Sequence, residues 1–125
     1  MKYHTYFFDI DGTIFKYRKF GEYEFTKPEL TPGAFEKLRE IRDCGHTIVL
    51  TTARPESLRL LTVLELEKHV IPYDQLIMGL PRGPRHIIND MSMSVPGPRA
   101  ISWNLERDEG LERIQVQKIG EEKNA

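Results

Sequence analysis

The sequence predicts an α/β domain with a mostly parallel sheet, and two observations lead to this fold class. Short apolar runs typical of buried strands alternate along the chain with longer stretches in which apolar residues recur at helical spacing. The connections between these segments are short, and two of them are Pro- and Gly-rich turns, at 81–84 and 95–98. The chain has 125 residues, close to the commonest size of a domain, so we predict a single domain over 1–125.

Five segments have the composition of strands. The first, residues 3–9, is aromatic and ends at an Asp-Gly turn. The segments 46–50 and 86–88 are rich in β-branched apolar residues, and 74–78 and 100–105 complete the set. Because these strands alternate with helices, they predict a Rossmann-like three-layer domain.

Two helices are predicted between the strands. The first spans residues 32–44, because Thr31 can cap a helix, Pro32 suits its first position and Gly45 ends it. The second runs from about Pro55 to His69. Its predicted inward-facing residues are the apolar ones, Leu58, Leu61 and either Leu64 or Val63.

Two further segments differ from this pattern. In residues 14–27, aromatic side chains alternate with charged ones around Gly21, which predicts a small hairpin flap. Residues 106–125 are charged and predict a surface tail whose end, Gly120 to Ala125, is frayed.

The charge balance and composition do not call for nucleic acid or a membrane as partner. Lys plus Arg number 18 and Asp plus Glu 19, so nothing demands nucleic acid or an anionic membrane. No apolar run is long enough for a transmembrane helix, and the N-terminus lacks the apolar region of a signal peptide, so we expect a soluble cytoplasmic protein. The single cysteine, Cys44, excludes an internal disulfide.

Polar side chains follow the predicted strands at the point where each one ends. Asp9 and Asp11 follow the first strand, Thr51 and Thr52 the second, and Asp90 the fourth. Because the carboxyl ends of parallel strands meet at one edge of a sheet, we expect these residues to converge there. Carboxylates held this close need a cation, and Mg²⁺ commonly joins one or two carboxylates to a substrate phosphate.

The same residue types can carry out phosphoryl transfer. One carboxylate can attack phosphorus and form an aspartyl-phosphate. The other can protonate the leaving oxygen and later activate water. A Thr hydroxyl and an Arg can hold the phosphoryl oxygens, where negative charge is concentrated.

Three motifs in order resemble the haloacid dehalogenase-like superfamily. Asp9-Ile10-Asp11-Gly12-Thr13 after an apolar strand matches its first motif. Val49-Leu50-Thr51-Thr52-Ala53-Arg54 is similar to the second, and Ile87-Ile88-Asn89-Asp90 to the fourth, acidic one. The resemblance covers roughly residues 5–105 and implies a phosphatase that needs Mg²⁺.

The resemblance also implies a role for each matched residue. Asp9 would be the nucleophile and a metal ligand, and Asp11 the general acid/base, with its backbone carbonyl also on Mg²⁺. Thr52 would bind the phosphoryl group, and Asp90 would be a further metal ligand. The other residues expected at the substrate are Gly12, Thr13, Ala53, Arg54 and Arg85.

The sequence departs from the family pattern at two places. The third motif is normally a Lys, and none lies between Lys68 and Asp90, so Arg82 is the preferred substitute and Arg85 the runner-up. The acidic motif usually has two acids, whereas here Asn89 precedes Asp90, and Asn89, Ser92 or Ser94 would have to replace the second one as metal ligand.

The stretches between the motifs are too short for an inserted cap domain. Family members without a cap often act on larger substrates or close the site with a neighbouring subunit, which would make a homo-oligomer. We therefore predict a Mg²⁺-dependent phosphomonoester hydrolase acting on a sugar phosphate or similar small metabolite. One alternative is a catalytically weak binding or regulatory module. Another is a phosphoaspartate receiver domain, whose acceptor Asp would end the third strand.

Overall fold

The computed structural model describes residues 3–94 and 96–118, and its core is one open parallel sheet. Strands β1 (Thr5–Asp9), β2 (Thr47–Thr51) and β3 (Gln75–Ile77) lie in the order β1-β2-β3, and both neighbouring pairs are parallel. Helix α1 (Ala34–Asp43) follows β1, and α2 (Arg59–Lys68) follows β2 after a short 3-10 turn, Glu56–Leu58. This arrangement agrees with the predicted α/β class and parallel sheet.

The register of the strands brings their carboxyl ends together. Asp9 pairs with Thr51, and Thr51 pairs with Ile77, so the last residues of all three strands stand side by side. The central strand β2 is buried along most of its length, and its sequence is mostly apolar, as expected for a strand with neighbours on both sides. The loops that leave this edge therefore start next to one another.

Helix α1 packs on the sheet through a narrow apolar stripe. Ala34, Leu38 and Ile41, spaced by four and three residues, are buried against the residues of β2. Each fully buried Leu or Ile side chain contributes about 1.5–3 kcal/mol to folding. The residue that precedes the helix is Gly33, in the left-handed conformation. The hydroxyl of Thr31 donates to the carbonyl of Thr13 at 2.6 Å and does not cap the helix. The predicted Thr31 cap was therefore wrong.

Helix α2 turns a partly polar face inward. Its buried residues are Thr62, Glu65 and Leu66, whereas Leu64 is 55% exposed. The predicted inward set, built on the leucines, was therefore wrong for Leu64. The physical reason is that Thr62 and Glu65 bind a buried arginine from the loop after β2, a requirement that apolar periodicity does not reveal.

The predicted strands at 86–88 and 100–105 are not strands in the structure. Both segments are irregular, and Ile87 and Ile88 are 55% and 85% exposed. Prolines stand close to each segment, at positions 81, 84, 96 and 98, and a proline cannot donate a hydrogen bond to a neighbouring strand. The sheet is consequently smaller than the sequence suggested.

The flap and the tail also differ from their predictions. Residues 14–27 form no hairpin. Ile14 and Phe15 are fully buried, and Phe15 makes isolated bridges to Asp11 and Leu30. Turns follow in the rest of the segment. The described part of the charged tail packs on the core through Leu111, Ile114 and Val116. The predicted frayed end, 120–125, lies outside the described residues.

None of the helices in the described ranges has the length and apolar character needed to span a bilayer.

Candidate functional site

Asp9, the last residue of β1, presents a partly exposed carboxylate at the edge where the strands end. Its side chain is 44% exposed, and Nη2 of Arg85 lies 4.0 Å from its Oδ1. Burial raises the pKa of Asp9 above its usual value, and the positive charges of Arg85 and, more weakly, Arg107 oppose this rise. Among the residues described, Asp9 thus has cations near its carboxylate but no bidentate partner.

Asp11 is in a very different state. Both of its carboxylate oxygens accept hydrogen bonds from Arg54, from Nε to Oδ2 at 2.9 Å and from Nη2 to Oδ1 at 2.8 Å. The hydroxyl of Tyr23 donates to Oδ2 at 3.2 Å. Such paired bonds between a guanidinium and a carboxylate are among the strongest in proteins, so Asp11 is held in one place.

Arg54 belongs to a buried ion network formed by Asp11, Arg54, Glu65 and Arg18. The Arg54 side chain is fully buried, and its Nη1 donates to Thr62 at 3.0 Å and to Glu65 at 2.9 Å. Arg18 donates to both oxygens of Glu65, at 2.7 and 3.1 Å. The charges alternate in sign and sum to zero, which is the condition under which buried ions are tolerated.

Tyr23 lies between the two arginines of this network. Its ring centroid is 4.4 Å from the guanidinium carbon of Arg54 and 5.1 Å from that of Arg18. Burial, and next the negative charge of Asp11, raise the pKa of Tyr23 to about 12. Burial lowers the pKa of Arg54, but its bonds to Asp11 and Glu65 outweigh this and leave the pKa raised.

The second motif shapes the loop after β2. Thr52 is buried, its Oγ1 accepts the backbone N–H of Arg54 at 3.0 Å, and its own N–H donates to the carbonyl of Ile77 at 3.0 Å. Thr51 donates its hydroxyl to the carbonyl of Phe8 at 3.3 Å. Partly buried Ala53 completes the turn that directs Arg54 towards Asp11.

The remaining residues of the first motif form a tight turn. The N–H of Gly12 donates to the carbonyl of Phe15 at 2.7 Å, and that of Thr13 to the carbonyl of Ile10 at 3.2 Å. Gly12 has a φ of 89°, which favours glycine. The predicted substrate-contacting residues of this motif therefore lie directly beside Asp11.

The fourth motif does not join this group. Asp90 is largely exposed and accepts a hydrogen bond from Nη1 of Arg99 at 2.7 Å, while Asn89 donates to the carbonyl of Arg99 at 3.3 Å. Ser92 and Ser94, the other candidate ligands, lie 3.4 Å from each other, oxygen to oxygen. Among the residues that the structure describes, no three His, Cys, Asp or Glu side chains gather to hold a metal ion.

The donor set therefore does not fit the three-carboxylate magnesium site that the sequence predicts. Asp11 is bound by Arg54, Asp90 is bound by Arg99, and Asp9 alone keeps a carboxylate without such a partner. Mg²⁺ would have to compete with a guanidinium for the carboxylate of Asp11, although not for its backbone carbonyl, which is the ligand that the resemblance implies.

Of the two candidates for the missing third-motif cation, Arg85 lies nearer the expected position. Its guanidinium is at Asp9, whereas the guanidinium of Arg82, the preferred candidate in the sequence analysis, lies 4.8 Å from the ring centroid of Phe20. Spacing to Asp90 favoured Arg82 in the sequence, but it does not determine which arginine lies at Asp9, because both are in the same irregular segment before Asp90.

Three residues at or near the site were not identified from the sequence. Glu65 and Tyr23 belong to the buried network, and Arg107 stacks on the ring of Tyr17 at 4.0 Å beside the first motif. The signal that could have placed Arg107 is the apolar spacing of Leu111 and Ile114 just after it, which indicates that this segment packs on the domain.

Comparison with known proteins adds little to this geometry. No family model matches the chain, and no curated protein matches it. A crystal structure of a structural-genomics target from Vibrio cholerae is similar, with a TM-score of 0.49 and 22% identity, covering 68% of this chain and 79% of that one.

Proposed function

We propose that this protein is a phosphomonoester hydrolase in which Asp9 is the nucleophile. The observation that carries the proposal is the contrast between the two carboxylates of the first motif. Asp11 is bound on both oxygens by Arg54, whereas Asp9 is partly exposed at the end of β1 with a cation 4.0 Å away. A carboxylate that is accessible and close to positive charge suits attack on a phosphate.

The proposed reaction has two steps. An Asp9 oxygen attacks phosphorus while the bond from phosphorus to the leaving oxygen breaks, and the leaving oxygen takes up a proton from Asp11, which regains a proton from the attacking water in the second step. Water then attacks the phosphorus of the aspartyl-phosphate, which releases inorganic phosphate and restores Asp9. Arg85 offsets negative charge on the phosphoryl oxygens. The raised pKa makes the Asp9 carboxylate more basic and hence a stronger nucleophile.

The acid/base role proposed for Asp11 is constrained by its hydrogen bonds. In the structure Oδ1 and Oδ2 each accept a bond from Arg54, and Oδ2 also accepts the hydroxyl of Tyr23, so the lone pair left on Oδ1 is the one open to a leaving group or a water. Opening one of the two bonds would leave the other to hold Asp11 in place. Thr52 is proposed to contribute to phosphoryl binding through the turn that it stabilises with Arg54.

Magnesium dependence follows from the family resemblance and is part of what the experiment tests. No step above is assigned to the metal, because the carboxylates present do not gather into its site. The proposal also includes a small phosphorylated metabolite as substrate, a cytoplasmic location, and the Rossmann-like three-layer fold of which the three parallel strands would be the centre.

The test is hydrolysis of p-nitrophenyl phosphate by the wild type and by Asp9→Asn, with Mg²⁺ and with a chelator. We expect turnover in the wild type and its loss in Asp9→Asn by at least a thousandfold, since an amide cannot form the acyl-phosphate. Asp43→Asn, at an exposed position at the end of α1, is the matched control. Equal turnover in Asp9→Asn and wild type would contradict the proposal that Asp9 is the nucleophile.

A second candidate function is a binding or regulatory module that recognises phosphate without cleaving it. The bidentate Arg54–Asp11 pair favours it, because this pair occupies one lone pair on each oxygen of the acid/base that turnover needs. Saturable binding of a phosphomonoester, measured by calorimetry, without turnover over a panel of phosphorylated metabolites would support the module over the enzyme.

A further inference from the structure

Arg107 lies against the first motif although it comes from the segment after Leu105. Its guanidinium carbon is 4.0 Å from the ring centroid of Tyr17. Its side chain also packs on Gly12, where a β-carbon would lie 3.2 Å from Cγ of Arg107. The cation therefore lies next to the loop that carries Asp11, and its charge acts on Asp9.

The turn that positions Arg107 is fixed by its neighbour Asp108. The N–H of Asp108 donates to the carbonyl of Gly12 at 2.8 Å, and its Oδ1 accepts the N–H of Tyr17 at 2.7 Å. Asp108 has a φ of 64°, a left-handed conformation that is uncommon outside glycine. Leu111, fully buried three residues later, anchors the segment in the core.

The guanidinium of Arg107 is available to an anion. Within the described ranges, no carboxylate forms an ion pair with it, and the residue is exposed. Stacking on Tyr17 covers one face of the guanidinium plane and leaves the N–H groups at its edge, the groups that bind carboxylates and phosphates. Arg107 and Arg85 are thus two positive charges that act on Asp9.

We propose that Arg107, stacked on Tyr17, binds a second anionic group, carboxylate or phosphate, on the leaving-group side of the phosphomonoester. This inference rests on the proposed function and narrows its substrate class to phosphomonoesters that carry another negative charge. A neutral sugar phosphate would leave Arg107 without a partner. The subsite distinguishes substrates by charge, so Arg107 is a specificity-determining residue rather than a catalytic one.

The experiment compares two pairs of compounds that differ in the second anion. 3-Phosphoglycerate and glycerol 3-phosphate differ by a carboxylate, and fructose 1,6-bisphosphate and fructose 6-phosphate differ by a phosphate. We expect the wild type to have a KM about tenfold lower for the compound with the second anion in at least one pair, and that pair identifies the anion. Arg107→Ala should reduce this KM ratio to near one, and Arg107→Lys should restore part of it.

Arg39→Ala is the matched control, because Arg39 is also an exposed arginine near an aromatic ring, 5.9 Å from the Phe35 centroid on α1. It should leave the KM ratio as in the wild type. An Arg107→Ala variant that keeps the ratio, or that raises KM equally for both members of the pair, overturns the subsite.

Failure of the proposed function would be seen separately, as absence of turnover with all four compounds. The same ratio is then measured from dissociation constants by calorimetry on the wild type and Arg107→Ala. A preference for the second anion that disappears in Arg107→Ala supports the subsite, and equal affinities in the wild type overturn it.

Discussion

Arg54 and Asp11 hold each other through two parallel hydrogen bonds, from Nε to Oδ2 at 2.9 Å and from Nη2 to Oδ1 at 2.8 Å. The pair joins the loop after β1 to the loop after β2 at the carboxyl edge of the sheet. Because Arg54 also binds Glu65, the same side chain ties both loops to helix α2. The segments Asp9–Thr13 and Val49–Arg54 are thus connected by a buried cation.

Removing Arg54 should strongly destabilise the fold. Arg54→Met leaves Asp11 without its charged partner in a buried position, and we expect a loss of about 3–5 kcal/mol in the free energy of unfolding. Urea denaturation followed by circular dichroism measures it. Arg59→Met is the control, since Arg59 forms an exposed pair with Glu56 and should change stability little.

Coupling between the two residues provides an independent check of this result. If the pair is the cause, Arg54→Met combined with Asp11→Asn should cost clearly less than the sum of the single changes, because each single change leaves the partner charge unpaired. Simple additivity would show that Arg54 stabilises the fold through other contacts.

Asp9→Asn should abolish turnover and at the same time raise stability slightly near neutral pH. Burial raises the pKa of Asp9, so the folded state favours the protonated form. The stability that this group contributes is present below its ordinary pKa of 3.8 and is lost as pH rises through the folded value. The amide of Asp9→Asn carries no charge, so its burial has no cost of this kind at pH 7. The urea midpoint of Asp9→Asn at pH 7 should therefore exceed that of the wild type.

The difference in urea midpoint between wild type and Asp9→Asn should depend on pH. The two midpoints should converge, or their order reverse, as pH falls to about 3, where Asp9 is protonated in both states. A wild type that is more stable than Asp9→Asn at pH 7 would mean that attraction to Arg85 at 4.0 Å outweighs burial.

Sequence pattern located the three strands that form the sheet and also predicted two that do not form. The run 3–9 is followed by an Asp-Gly turn and the run 46–50 by Thr51 and Thr52, and β1 and β2 form there. The run at 86–88 is as apolar, yet it forms no strand. Strand formation needs a neighbour along its whole length, which composition alone does not supply.

The candidate site was only partly predictable for a related reason. The positions of Asp9, Asp11 and Thr52 follow from strand ends, which sequence pattern locates well. The Arg54–Asp11 pair depends on where two side chains point across loops that are 43 residues apart. Glu65 could not be identified, because a charged residue on a helix indicates solvent exposure unless its buried partner is known.

Tyr23 should make the stability of the fold fall steeply in alkaline solution. The pKa of Tyr23 rises from 10.0 to about 12, so its contribution is fully present below pH 10 and is lost as pH rises towards 12. Tyr23→Phe keeps the ring beneath Arg54 but lacks the ionising hydroxyl. We therefore expect the difference in urea midpoint between wild type and Tyr23→Phe to shrink between pH 9 and 11.5. A difference that stays constant over this range would contradict the raised pKa of Tyr23.

Gly110 should tolerate no side chain, because the segment after Leu105 approaches the start of α1 closely. A β-carbon at Gly110 would overlap the carbonyl oxygen of Pro32, and the φ of 99° adds strain. We expect Gly110→Ala to cost more than about 2 kcal/mol. Gly21→Ala has a similar φ of 92° but open space around it, and should cost about 1 kcal/mol. Equal losses, measured by thermal unfolding, would mean that this contact is not tight.

The variant Asp90→Asn tests which of two roles Asp90 has, the one seen in the structure or the one implied by the family resemblance. The resemblance makes Asp90 a metal ligand, whereas the structure pairs it with Arg99 at 2.7 Å on an exposed segment. From the structure we expect the Mg²⁺ concentration for half-maximal hydrolysis of p-nitrophenyl phosphate to change less than twofold in Asp90→Asn. Arg99→Ala, which frees Asp90, should be equally neutral. A rise of tenfold or more confined to Asp90→Asn would contradict the structure, because it would show that the Asp90 carboxylate contacts the metal when Mg²⁺ binds.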